Sequence, residues 1–268
     1  MKKTVLVLIT FALVTAVAGS GFWLVHYFID SREQRQTYEN LAEEFVLEST
    51  PTPESTTPAE NSSPTENSSE PAESVSLTTA TPRHDLAALA SENSDCVGWL
   101  TIPDTGIDYP VMHTPNDPEH YLRRDFYGNS ASGGTPFLDG RNLAEAENQN
   151  LILYGHNMMD GSMFKPLISY LEPSFRETHK EIYLELSEKQ YQYEVFAVVE
   201  TNTQCSLYQY TDLSDPAEES DFRAAILKET DLEGVHQAPG YLTLSTCNNG
   251  GGSSRVLVIA ALAGEVSQ

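Results

Sequence analysis

The chain has 268 residues, 40% of them hydrophobic, and its 39 Asp and Glu against 15 Lys and Arg give a formal net charge of −24. That length accommodates one domain of about 150–200 residues with extensions. So negative a balance argues against nucleic acid and anionic lipid headgroups as partners and favours cationic ones.

Met1-Lys2-Lys3 precedes an apolar run from Thr4 to Ile29. At about 1.5 Å per residue this run is long enough to cross a hydrocarbon core of about 30 Å, so residues 1–30 read as a cytoplasmic tip and a membrane-spanning signal anchor. Ala16-Val17-Ala18 resembles a signal-peptide cleavage site, but the apolar run continues past it through Phe22, Trp23, Leu24 and Val25, which favours the uncleaved anchor. The short basic N-terminal flank favours an inside N-terminus, with the rest of the chain outside the cell membrane. In residues 31–47, Tyr38, Leu41 and Phe45 fall at helical spacing among charges, which predicts a juxtamembrane helix acting as a plain stalk. Residues 48–83 turn to Ser, Thr, Pro, Glu and Asn and repeat Glu-Asn-Ser-Ser at Glu60 and Glu66. Such a composition cannot bury a core and predicts a disordered linker whose use is reach. Its Asn-Ser-Ser sequences match the glycosylation pattern, as chance alone gives in so Ser-rich a tract.

Residues 84–268 carry the folded sequence. A short helix over Asp85–Ala90 leads into short apolar segments at Val97–Leu100, Ile107–Val111 and Thr135–Leu138, set apart by Gly, Pro, Asn and Asp. This pattern predicts a mainly β barrel or sandwich with added helices. Asn150–Phe164, NLILYGHNMMDGSMF, is a strand that ends in Gly155-His156 and runs into a polar turn, where a general acid/base reaches a cleft. Helices are expected over Phe164–Tyr170 and Pro173–His179, and strands over Tyr183–Leu186 and Tyr191–Glu200 around a turn at Ser187–Gln190. The long connection from Thr201 to Gly240 holds a helix at Asp221–Glu229; a connection of that length is usually functional or disordered.

Tyr241 to Leu262 reads YLTLSTC, then a Gly- and Asn-rich loop, then RVLVIAAL. Strand, loop, strand predicts an antiparallel pair with Cys247 and Arg255 as cross-strand neighbours, their Cβ atoms about 5 Å apart. A guanidinium beside a reachable thiol is the setting of a reactive cysteine. Taken alone, the pair reads first as a small buried hydrophobe and a solvated strand-end charge. Cys96 and Cys205 could pair with each other, with two unpaired thiols the expected state. His26, His84, His113, His120, His179 and His236 are expected to be anchor, linker-edge or surface residues. The absence of CxxC and HExxH spacing predicts no metal site, and no Walker-type sequence follows the Gly250–Gly252 loop, so no cofactor is expected.

The TLSTC segment, the Arg and VLVIA strand that follow it, and YGHNMMDGSMF about ninety residues earlier are similar to the sortases, class B in particular. Gly98–His113, Tyr121–Phe126 and Gly133–Asn142 extend the resemblance over about His84 to Ala263. It implies a sortase-like β-barrel with added helices and a cysteine transpeptidase of Gram-positive bacteria. Cys247 would form a thioester with a sorting signal, His156 would act as acid and base, and Arg255 would hold the oxyanion or substrate carbonyls. Tyr154, Ser245, Thr246 and Leu122 match positions near the family's substrate groove. Partners implied are sorting-signal-bearing surface proteins, with a peptidoglycan precursor or pilin amine as acceptor. Two other readings stand beside it: another extracellular cysteine acyltransferase of the L,D-transpeptidase kind, and an anchored binding module with an inert Cys247. The short Gly-rich loop before Arg255, and a terminal strand without a lysine near its end, depart from the family pattern.

Overall fold

The structure is a computed structural model and describes residues 2–47, 83–248 and 252–266. Its first element is one unbroken 43-residue helix, α1 (Lys2–Glu44). The segment contains no Pro and only two glycines, Gly19 and Gly21, so nothing in it forces a stop between the apolar run and the charged turns beyond. The described side chains of its apolar half are bare, with Phe11, Leu13, Phe22 and Trp23 59–72% exposed. By length and composition it contains a candidate membrane span, with none of the relevant window buried inside the protein.

The charged half corrects the expected stalk. Tyr38 and Leu41 are each 1% exposed and belong to the main core. The helix ends at Glu44, short of the expected Leu47. Strand β1 (Val46–Leu47) follows and pairs antiparallel with β2 (Arg83–His84), Val46 opposite His84 and Leu47 opposite Arg83. Residues 48–82, with both Asn-Ser-Ser sequences, lie outside the described residues. The described residues that flank this segment, Leu47 and Arg83, are strand partners.

Asp85 caps α2 (Leu86–Glu92), accepting a hydrogen bond from the Ala88 amide. The strands that follow are β3 (Cys96–Ile102), β4 (Ile107–Met112), β5 (Phe137–Leu138) and β6 (Asn150–Tyr154). A 3-10 helix over Lys165–Leu171 and α3 (Pro173–Thr178) match the two expected helices. Next come β7 (Glu181–Leu186) and β8 (Lys189–Asn202), joined by a tighter turn than expected. Ser187 and Glu188 both have positive φ, 50° and 65°, as a two-residue primed turn needs, which leaves Lys189 and Gln190 in the strand. Helix α4 (Pro216–Glu229) begins five residues before the expected Asp221 because Asp215 caps it and Pro216 suits its first turn. The last strands are β9 (Tyr241–Cys247) and β10 (Ser254–Glu265).

Among the described residues, eight strands close into a barrel in the order β10-β8-β7-β3-β4-β5-β6-β9. Successive side chains on a strand point to opposite faces, and both faces of β10 are covered. Val258, Ala260 and Leu262 enter the main core, whereas Leu257 and Ile259 pack outward under α4 with Phe222, Ile226 and Tyr241. Cys96 lies in the first cluster and Cys205 in the second; both are buried free thiols. Burial pushes the Cys96 thiol up to about 12. His84 is not the linker-edge surface residue expected: it is 4% exposed, bonds Glu185 at 2.9 Å and stacks on Trp99 at 4.0 Å.

Candidate active site

Strands β6 and β9 run parallel, from Asn150 opposite Tyr241 to Tyr154 opposite Ser245, so their C-terminal ends coincide. At that end β6 delivers Gly155-His156 and β9 delivers Thr246-Cys247. Strand β10 returns antiparallel with Arg255 directly opposite Cys247, the register expected from the sequence. All seven sequence-selected residues, Leu122, Tyr154, His156, Ser245, Thr246, Cys247 and Arg255, line one cleft of about 420 Å³.

The histidine is oriented from one side. Its Nε2 lies 2.8 Å from the Leu122 carbonyl oxygen, and because a carbonyl can only accept, Nε2 carries the proton. In the neutral ring Nδ1 is then the basic nitrogen. Partial burial, followed by the positive charges of Arg123 and Arg255, holds the imidazole below its ordinary value and outweighs the Leu122 carbonyl, which pulls the other way. The loop after His156 is tied to the cysteine strand, with the Asn157 side-chain amide donating to the Cys247 carbonyl at 2.8 Å. Arg255 Nη1 donates to the Gly252 and Ser254 carbonyls at 3.1 and 2.9 Å, which fixes one terminal nitrogen of its guanidinium at the strand mouth.

The four residues matched to the substrate groove divide. Tyr154 and Leu122 are half-buried and present surface to the cleft. Ser245 and Thr246 are 2% and 1% exposed and bonded within the wall. The Ser245 hydroxyl lies 2.8 Å from the Tyr208 hydroxyl, and the Thr246 hydroxyl donates to the Gly155 carbonyl at 2.9 Å.

The sequence reading missed a second wall. Asp139 accepts from Tyr154 at 2.9 Å and is gripped by Arg141, whose far nitrogen reaches the Tyr208 carbonyl at 2.7 Å. Burial alone would raise the Asp139 carboxyl, but the Arg141 hydrogen bonds and charge hold it below the usual carboxylate range. Tyr208 stacks on Tyr154 with ring centres 6.1 Å apart. Tyr208 sits in the long connection before β9, a signal of function by its length alone; Asp139 and Arg141 sit in the GGTPFLDGRN segment, where nothing local marks them.

A thiol, an imidazole and a guanidinium converging at one barrel end can form a covalent acyl-enzyme and move its protons. The model of the sortase domain matches residues 100–263. Sortase B of Listeria monocytogenes is 37% identical over 169 residues, covering 62% of this chain and 68% of that protein. A Staphylococcus aureus sortase B–substrate complex superposes with a TM-score of 0.60 at 30% identity, over 68% of this chain and 85% of that one. Sortase B from Bacillus anthracis, in complex with AAEK1, gives 0.64 at 29% identity over 88% and 98%. The chain belongs to the sortase family, on its class B branch. It is accordingly a cysteine transpeptidase.

Proposed function

We propose that the protein is a membrane-anchored transpeptidase facing the outside of a Gram-positive cell, which cleaves a sorting signal in surface proteins and passes the acyl group to an amine of the cell wall or of a pilin. The observation that carries this reading is the meeting of Cys247, His156 and Arg255 in one cleft. The Cys247 thiol passes its proton to the basic Nδ1 of His156 as its sulfur attacks the scissile carbonyl carbon, and Arg255, held by its two carbonyl contacts, faces the developing oxyanion. His156 gives a proton to the departing amine as the carbon–nitrogen bond breaks, leaving a thioester. The incoming amine then attacks that thioester, loses its proton to His156 and releases the Cys247 sulfur.

The S. aureus relative was solved as a substrate complex, which supports a sorting peptide in the same cleft here. Tyr154 and Leu122 offer the peptide contact surface, with Ser245 and Thr246 shaping the floor. The anchor assignment rests on the length of the apolar run and the bare side chains from Phe11 to Trp23 that the structure describes. An internally quenched sorting peptide tests the reading: in the presence of a small amine such as triglycine, the full chain releases the leaving fragment and yields the amine-linked acyl product. Release with only the hydrolysed acid, at every amine concentration, would make the protein a peptidase and not a transferase.

A further inference from the structure

Helix α1 touches the domain on both sides of His156. On one side, Gln34 Nε2 and the Tyr38 hydroxyl donate to the Gly134 carbonyl at 2.7 and 2.8 Å. Gly134 has a φ of +60°, and an added Cβ would meet the Leu122 and Tyr121 carbonyl oxygens at 2.4 and 2.5 Å. Thr135 in turn bonds Tyr121 at 3.1 Å. This packing sets the height of the Leu122 carbonyl, the group that orients His156.

On the other side, Asp160 lies four residues after His156. Its Oδ2 accepts from Ser31 and lies 3.6 Å from Arg35, while Arg35 also donates to the Asp160 carbonyl at 3.3 Å. Its Oδ1 accepts from the Ser162 amide and hydroxyl at 3.1 and 2.7 Å. The Met159 amide donates to the Tyr27 hydroxyl at 3.2 Å. Tyr27 belongs to the apolar run itself, so the loop that begins at His156 is fastened to the helix at the edge of the candidate span. Both supports of the imidazole therefore end on one helix, and the carboxylate between them is 9% exposed.

We propose that Asp160 is a positioning residue that locks the His156 loop to Ser31 and Arg35 of the anchor helix, making the first turns beyond the membrane a part of the catalytic apparatus. This rests on the reading of His156 as the acid/base. The Asp160 carboxylate divides its two oxygens: Oδ1 closes the local turn onto Ser162, and Oδ2 is turned to Ser31 and Arg35 of the helix. A tethering helix alone would need no side-chain bonds to the histidine loop. A misplacement of about 1 Å at a catalytic group can cost about a hundredfold in rate, so a clamp of this kind is worth having.

The test uses the full chain in nanodiscs, with Ser31→Ala plus Arg35→Ala on the helix side, Asp160→Ala on the loop side, and Asp160→Asn as the conservative variant. Expected are a fall of about tenfold in kcat with KM for the peptide changed less than about twofold, partial rescue by Asp160→Asn, and little added loss when the helix and loop variants are combined. The His156 titration midpoint, followed by histidine-labelled NMR and assigned with His156→Gln, should rise toward the ordinary value as the ring loosens into water. An unmoved midpoint, or a moved one with kcat intact, overturns the clamp. A wild-type chain that turns over no peptide sinks the transpeptidase reading separately, and the midpoint still decides the clamp.

Discussion

Asn157 and Cys247 are joined by a 2.8 Å hydrogen bond from the side-chain amide of one to the main-chain carbonyl of the other. That bond spans the two parallel strand ends and couples the histidine loop to the cysteine strand. Replacing Asn157 with Ala removes it without touching either reacting side chain. The expected result is a loss of about tenfold in kcat/KM, mostly in kcat, with the thermal midpoint within a few degrees of wild type. Unchanged kcat would show that the two loops hold their positions independently.

The pH dependence follows from the environment of His156. Burial and two nearby arginines hold its folded pKa below the unfolded value of about 6.5, so the neutral ring is favoured in the folded protein. The associated stability is fully present above about pH 6.5 and is lost as pH falls through the folded pKa. In peptide turnover the acid limb of kcat/KM should have its midpoint below 6.5, and Arg123→Gln should raise it. A midpoint above 6.5 in wild type would contradict the assignment of that limb to a buried imidazole.

Arg255 is required as a planar fork and not as a mere charge. Lysine keeps the charge but loses the paired donors that hold one end to Gly252 and Ser254 and leave the other for the cleft. Arg255→Lys is expected to lower kcat/KM by about a hundredfold, and Arg255→Ala by at least that much. Full activity in the lysine variant would reduce Arg255 to a source of positive potential.

Gly155 has no room for a side chain. A Cβ there would lie 2.5–2.8 Å from three ring carbons of Phe164, which is fully buried and whose amide donates to the His156 carbonyl at 2.8 Å. Gly155→Ala should therefore cost about 1–3 kcal/mol and lower the melting temperature by about 5 °C, with a loss of turnover as His156 follows the ring. Calorimetry showing no change would mean that Phe164 gives way freely.

The His84–Glu185 pair tests the opposite end of the domain. Both side chains are 2–3% exposed, and Glu185 also accepts from the His84 amide at 2.8 Å. His84→Ala leaves the carboxylate short of a partner and opens a gap over Trp99. The expected cost is about 3 kcal/mol, read as a midpoint about 10 °C lower with the cleft's kinetics retained where the protein is folded.

Much of the site was legible in the sequence because it is local. The Cys247–Arg255 register follows from one strand–loop–strand segment, and His156 from its position at a strand exit. Their convergence is not local: it depends on β6 lying parallel to β9, two strands separated by the whole of β7, β8 and α4. Asp139 and Arg141 were missed for the same reason, since their importance lies in partners Tyr154 and Tyr208 that come from elsewhere. The stalk reading of residues 31–47 failed because Tyr38 and Leu41 are too few to mark a packed face among so many charges; the surface they cover comes from Gly133–Thr135 and Tyr109. His84 was misjudged because its partner is 101 residues away.

Intact-mass spectrometry of the chain from Ser31 onward, which keeps the docked helix, detects the thioester at Cys247 directly. Mixed with sorting-signal peptides, the protein should gain one acyl fragment mapping to Cys247, released by hydroxylamine and missing from Cys247→Ala. No adduct with any peptide, together with slow alkylation of Cys247 at neutral pH, would leave a barrel that binds without reacting.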